Sequence, residues 1–241
     1  MPGNIPQEQV PPAFIRLAER LGIERPVICD IGSRDAREGI LLFERLGGSQ
    51  LHVFEPNPAA AAVCRRNLGL LHGGENSDVA VFNEVAVAEA VGTAPFYPVN
   101  TELSENKDIG FSSLYRINPR YTRRRGRLVQ DEVMVKTVTL DSYFAGRQHP
   151  DILWLDVEGA ELRVLEGARS VLRSVKLIHV EVSFRAMQVG KPLFWDIHGF
   201  LERFDFKLWG FMEVNALKGF LYRHRLLPNA PWRLNAVYYR P

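Results

Sequence analysis

Short apolar runs alternate with stretches of helical periodicity along most of this chain. Ala13 to Leu21 sets Phe14, Leu17, Ala18 and Leu21 at helical spacing, and Gly22 stops it. Before it, Pro2 to Pro12 reads as loose, so residues 1–24 form a helical leader. Val27 to Ile31 then reads as a buried strand, and Arg37 to Leu46 as a helix closed by Gly47 and Gly48. Leu51 to Glu55 is a second strand and Pro58 to Leu68 a second helix, with Asn57 or a neighbour as its cap. Val79 to Val87 is a third strand. Strands alternating with helices predict parallel βαβ units with helices on both faces, a doubly wound α/β sheet.

The middle of the chain departs from this rhythm. Thr93 to Val99 and Glu132 to Val138 read as short strands, and a polar segment from Asn100 to Asp131 separates them. That segment carries six arginines between Arg116 and Arg127. Loops this long inside a domain are usually functional or disordered, so a lid-like insert is expected over about 100–131. The rhythm resumes with a strand at Asp151 to Val157, a helix at Ala160 to Leu172, a strand at Leu177 to Val182 and a helix at Leu193 to Phe204. Phe206 to Val214 and Leu234 to Tyr239 complete the sheet as a hairpin with a long connection. No repeat or domain boundary interrupts residues 1–241, which read as one domain.

Composition narrows the class. Hydrophobic residues make up 46% of the 241, ample for a large core. A net charge of +2 gives no global attraction to nucleic acid or membrane. Cys29 and Cys64 read as reduced core thiols. The start lacks the pattern of a signal peptide, and no apolar run is long enough to span a bilayer, so a cytoplasmic location is expected. Oligomeric state is not legible.

In doubly wound sheets ligands bind at the carboxyl ends of the strands. Two features fall there. Asp30-Ile-Gly32-Ser33 follows the first strand, where Gly32 permits a tight turn and Asp30 can either order the loop or hold a ligand. Glu55 ends the second strand as Val53-Phe-Glu55-Pro56-Asn57-Pro58, a placement suited to the two hydroxyls of a ribose. The multiple glycines that cradle a pyrophosphate are missing, and Asp30 and Asp35 would repel one. A cofactor with ribose and adenine but no phosphate fits better than NAD, and S-adenosyl-L-methionine is one.

The stretch Leu153-Trp-Leu-Asp156-Val-Glu158-Gly159-Ala-Glu161-Leu-Arg-Val-Leu165-Glu-Gly167-Ala168 resembles the most distinctive motif of the FkbM-type methyltransferases. Other segments agree in order. Asp30-Ile-Gly32 resembles the family's first motif, Val53 to Pro58 its ribose motif, and Glu84-Val-Ala86-Val-Ala88 its adenine-side strand. Ser112-Ser113-Leu114 resembles a short serine motif, Thr139-Leu140-Asp141 the lead into strand four, and Val180-Glu181-Val182 strand five. The resemblance implies a seven-stranded sheet with its last strand antiparallel. It also implies an S-adenosyl-L-methionine-dependent O-methyltransferase for a hydroxyl of a sugar, glycolipid or secondary metabolite. The implied cofactor contacts are Asp30, Gly32, Ser33, Glu55, Pro56, Asn57, Ala86, Ser112 and Asp156. Arg34 and Ala36 depart from the pattern, since the family commonly carries glycine or a small residue at these places.

Methyl transfer from a sulfonium requires alignment and, for an alcohol, a base. Asp156 closes an apolar strand on the ligand-bearing edge and shares a face with Glu158 if the strand continues. His179 and Glu181 share a face of the fifth strand; a lone strand histidine is more often a core residue, so His179 carries both readings. Asp156 and Glu181 are expected at one rim, serving as a base or as ligands of a divalent metal, and the metal-free base is preferred. Glu158 and Glu161 suit a helix N-terminus. Ser112 and Ser113 as a pair, and Trp195, Trp209 and Trp232 as core residues, also have non-functional readings. The arginine cluster reads as a solvated loop, as a binder of an anionic acceptor, or as a nucleic-acid contact, in that order. The competing functions are a methyltransferase of RNA or protein, a nucleoside-binding module without turnover, and an NAD-linked oxidoreductase. The segment after strand four lacks the Asn/Asp-Pro-Pro-aromatic pattern of base N-methylation.

Overall fold

The computed structural model describes residues 10–71, 78–105, 107–118, 128–185, 188–212 and 233–241. In chain order the elements are α1 (Pro12–Arg20), β1 (Val27–Ile31), α2 (Arg37–Leu46), β2 (Gln50–Phe54), α3 (Pro58–Leu68), β3 (Ala80–Asn83), β4 (Ala86–Val87), β5 (Gly92–Phe96), β6 (Val133–Val138), α4 (Leu140–Tyr143), β7 (Ile152–Leu155), α5 (Glu161–Glu166), β8 (Leu177–Ser183), α6 (Phe194–Glu202), β9 (Lys207–Phe211) and β10 (Arg233–Tyr239). Short 3₁₀ turns lie at Ile109–Phe111 and Val171–Arg173.

Seven strands form the main sheet in the order β3-β2-β1-β7-β8-β10-β9. β3, β2, β1, β7 and β8 pair in parallel, and β10 pairs antiparallel with both β8 and β9. This is the doubly wound sheet with one reversed strand, the last in the chain. Alternate side chains of each buried strand point to opposite faces. Ile28, Leu51, Val53 and Trp154 pack under α1, α2 and α3. Cys29, Phe54, Leu153, Leu155, Val180 and Val182 pack under α4, α5 and α6. Cys29 and Cys64 are buried free thiols.

A second sheet, β4-β6-β5, stands beside the first. The expected single strand Val79 to Val87 breaks at Glu84-Val85, because β3 pairs with β2 while β4 pairs in parallel with β6. The expected helix Ala160 to Leu172 ends at Glu166. There the Gly167 carbonyl is taken by the backbone N–H of Asp141 at 3.0 Å. No helix among the described residues is long and apolar enough to cross a membrane.

Candidate functional site

β1 and β7 are neighbours, and the strand order reverses between them. At their carboxyl ends two loops meet. A β-carbon on Gly32, φ +80°, would stand 2.0 Å from the carbonyl oxygen of Asp156, so only glycine permits this approach. Asp30 is buried and faces inward. Its Oδ2 accepts from the Ser33 hydroxyl and from the Gly39 N–H at 3.2 Å, tying the loop to the start of α2. Of the two roles open to Asp30, ordering the loop is the one visible here. Burial raises its carboxyl to about 7, against the pull of those donors.

Glu55 follows β2 and is 6% exposed. Its Oε1 accepts from the Asn57 N–H at 2.8 Å and its Oε2 from the Arg34 N–H at 3.0 Å. Each oxygen keeps a second lone pair, so two donors fix the carboxylate while it can still take two more. Burial raises Glu55 to about 7, with both N–H groups opposing the rise. Asn57 caps α3 through its Oδ1, which accepts from the Ala59 N–H at 3.2 Å. The Asn57 amide nitrogen donates to the Ser112 hydroxyl at 3.3 Å, and that hydroxyl also accepts from the Val99 N–H at 3.1 Å. The serine motif therefore joins the insert to the ribose motif.

These groups bound a cleft of about 550 Å³ with Gly32, Glu55, Pro56, Asn57, Ala86 and Ser112 in its wall. Phe54, Val85, Phe96, Ile109 and Leu114 give it an apolar lining. A polar hollow adjoins it, lined by Gly32, Ser33, Arg34, Glu38, Gly110, Asp156 and Glu158. Glu38 is raised to about 8, first by burial and then by the charges of Asp30 and Asp156.

β7 ends at Leu155, so Asp156 and Glu158 do not share a strand face as expected. Instead Glu158 turns back in the left-handed region, φ 52°. Gly159 follows at φ +112°, where a β-carbon would stand 2.9 Å from Cδ of Lys191. Glu158 meets Nη1 of Arg233 at 2.7 and 2.8 Å, and Arg233 reaches Glu181 at 3.1 Å. Lys191, buried, stands 3.7 Å from the other side of Glu181. Burial raises Glu158 to about 7, Arg233 opposing; burial and the charges of Asp156 and Glu158 push Glu181 well above the carboxylate range. Oxygens of Asp156, Glu158 and Glu181 lie within 4.8 Å of one another, close enough to share a cation, but the Arg233 guanidinium already stands against two of them.

Asp156 is thus brought to the cleft and Glu181 to its supporting layer. His179 is not brought to the cleft. It sits in mid-strand, stacked on Trp154 with ring centroids 3.5 Å apart and edge-on to Phe14, and burial lowers it to about 3. Trp195 and Trp209 are 69% and 42% exposed, correcting their assignment to the core, and Trp232 lies outside the described residues. Of the arginine cluster, only Arg116 is described, paired with Glu132; the span 119–127 lies outside the described residues. Lys191, Arg233 and Gln188, whose amide donates to the Glu158 carbonyl at 2.7 Å, were missed by sequence reasoning. No periodicity or motif marks them.

A family model described as the methyltransferase FkbM domain matches residues 30–208. The chain is 32% identical over 170 residues to 2-O-methyltransferase NoeI of Sinorhizobium fredii, covering 69% of this chain and 67% of that protein. The crystal structure of methyltransferase FkbM from Methylobacillus flagellatus superposes with a TM-score of 0.54 at 13% identity, covering 94% of this chain. This chain spans only 47% of that structure's length. With a family model across most of its length and a relative at this identity, the chain belongs to the FkbM methyltransferase family.

Proposed function

We propose that this protein transfers a methyl group from S-adenosyl-L-methionine to a hydroxyl of a sugar, glycolipid or secondary metabolite. The observation that carries the reading is Glu55, held by two backbone N–H groups at the wall of an apolar cleft that Asp156 also lines. Such a carboxylate suits a pair of ribose hydroxyls. Pro56, Asn57 and Ala86 would flank the nucleoside, and Gly32 and Ser33 would face the part bearing the sulfur. When bound, S-adenosyl-L-methionine supplies a methyl group already activated on a sulfonium.

The chain then has to place an acceptor oxygen and remove its proton. Asp156 stands at the junction of cleft and hollow and is the proposed base. Glu181 and Glu158 lie behind it, clamped by Arg233 and, for Glu181, by Lys191. This arrangement supports a metal-free base over a metal-bound acceptor, since Arg233 supplies the positive charge between the acids. A hydroxyl acceptor is supported by the similarity to a protein named as a 2-O-methyltransferase.

Tritium-labelled S-adenosyl-L-methionine, offered with a panel of mono- and oligosaccharides, tests this directly. Label is expected in a glycoside, with release of S-adenosylhomocysteine. Asp156→Asn should cut the rate at least about a hundredfold, the low end for a general base. Label recovered in RNA or protein and in no small acceptor would contradict the reading. Normal turnover by Asp156→Asn would remove Asp156 from the chemistry.

A further inference from the structure

Arg34 stands in the loop after β1 with φ 55°, and Ala36 follows at φ 63°. Both occupy the left-handed region that glycine adopts freely and an L side chain adopts at a cost. Residues held this way tend to be fixed by their surroundings for a purpose. At Arg34 the backbone N–H is committed to Glu55. The side chain is exposed and lines both the apolar cleft and the polar hollow. Among the described residues it is the one basic side chain lining either space. The other charged side chains of the hollow are Glu38, Asp156 and Glu158, all acidic. Nη1 of Arg34 lies 3.6 Å from where a β-carbon on Gly110 would stand, and Oδ1 of Asp108 lies 3.0 Å from the same point, so the guanidinium extends to the insert on the side where Asp108 stands. Among the described residues that guanidinium makes no ion pair or hydrogen bond.

With Glu158 already held by Arg233, Asp156 and Glu38 are the acids of the hollow left to face a ligand, and the hollow fits one carrying positive charge beside them and a single carboxylate beside Arg34. An S-adenosyl amino acid has that distribution: a sulfonium and an ammonium on one side, an α-carboxylate at the end. We propose that Arg34 receives the α-carboxylate of the cofactor and so selects S-adenosyl amino acids over adenosyl ligands that lack one. This rests on the cofactor reading above. The planar guanidinium matches a carboxylate with two parallel hydrogen bonds, a geometry lysine cannot supply. The left-handed backbone aims this side chain across the hollow while its N–H holds Glu55, so one residue links the ribose carboxylate to the amino-acid subsite.

Calorimetric titration with S-adenosylhomocysteine, with its decarboxylated analogue and with 5′-methylthioadenosine tests the assignment without any acceptor. Arg34→Gln should weaken S-adenosylhomocysteine by roughly 10- to 100-fold, as for loss of a charged hydrogen-bonded pair, and leave the two ligands without a carboxylate within about twofold. Arg34→Lys should fall between. Arg34→Gly relieves the positive φ and keeps the N–H to Glu55, so its melting temperature should hold or rise while it loses the same selectivity. A variant that weakens all three ligands alike, or none, overturns the assignment while the cofactor reading stands. A wild-type protein that binds none of the three overturns both.

Discussion

Glu158 is held at a backbone angle that costs an L residue about 1–3 kcal/mol, and its carboxylate is buried against Arg233. Removing one partner of a fully buried pair typically costs about 3–5 kcal/mol. Here the guanidinium is 36% exposed, so screening lowers the expected loss for Arg233→Ala to about 1–3 kcal/mol. The loss should depend on pH. Without Arg233, Glu158 and Glu181 face each other as anions only above their raised titration range, so denaturant melts should show a larger loss at pH 8 than at pH 5. Equal losses at both would show that Arg233 acts by packing alone. The acids and the glycine at the strand ends were legible because each sits in or beside its own strand: Asp30 within β1 and Gly32 after it, Glu55 and Asn57 after β2, Asp156 after β7. Arg233 and Lys191 were not legible. They reach Glu158 and Glu181 through the strand pairing of β10 with β8 and the turn after β8, contacts between segments distant in sequence. His179 was read both as a core residue and as a site residue, because a periodicity of two gives its face but not its depth beneath the rim; its stacking on Trp154 fits the core reading.

At the scale of elements, hydrophobic periodicity marked β1, α2 and α3 with their observed bounds, because these segments end at local signals: Gly32, Gly47 and the Asn57 cap. Elsewhere tertiary contacts overrode pattern. The segment Val79 to Val87 was read as one strand across the polar pair Asn83-Glu84, and the break there comes from β3 and β4 joining different sheets. The break places Val85, Ala86 and Val87 in the cleft wall. The insert was expected over about 100–131 from its length and polarity, and the structure describes 100–105, 107–118 and 128–131 of it. Its two ends are joined to each other, the Asn100 N–H donating to the Val129 carbonyl at 2.9 Å, and the Gln130 amide donates to the carbonyl of Tyr97, the residue after β5, at 2.9 Å. Its Ile109, Gly110, Ser112 and Leu114 roof the cleft. Single-sequence periodicity cannot report such a pairing, since it reads faces and not partners.

For the whole molecule, the site concentrates buried acids. Asp30, Glu55 and Glu158 are raised to about 7 and Glu38 to about 8, all by burial first. A carboxyl raised in the folded state binds its proton more tightly there than in the unfolded chain. Its favourable effect is full at low pH and is lost as pH rises through the folded value. His52 and His179, lowered to about 4 and about 3, act oppositely, but only below the ordinary histidine range near 6.5. Between pH 6.5 and 8 the acids act alone, so stability of the ligand-free protein should fall by roughly 1–4 kcal/mol across that window. Calorimetric melts at the two limits check this, and rising stability over the same window would contradict the burial of these acids.

The central claim is that the cleft takes an adenosyl ligand without phosphate, gripped at the ribose by Glu55. Isothermal titration with S-adenosylhomocysteine and with NAD, in the wild-type protein and in Glu55→Ala, tests it most directly. The account predicts clear binding of S-adenosylhomocysteine, much weaker binding of NAD, and a loss of about 1–3 kcal/mol in Glu55→Ala with the fold intact. Tight NAD binding with no response to S-adenosylhomocysteine would contradict it.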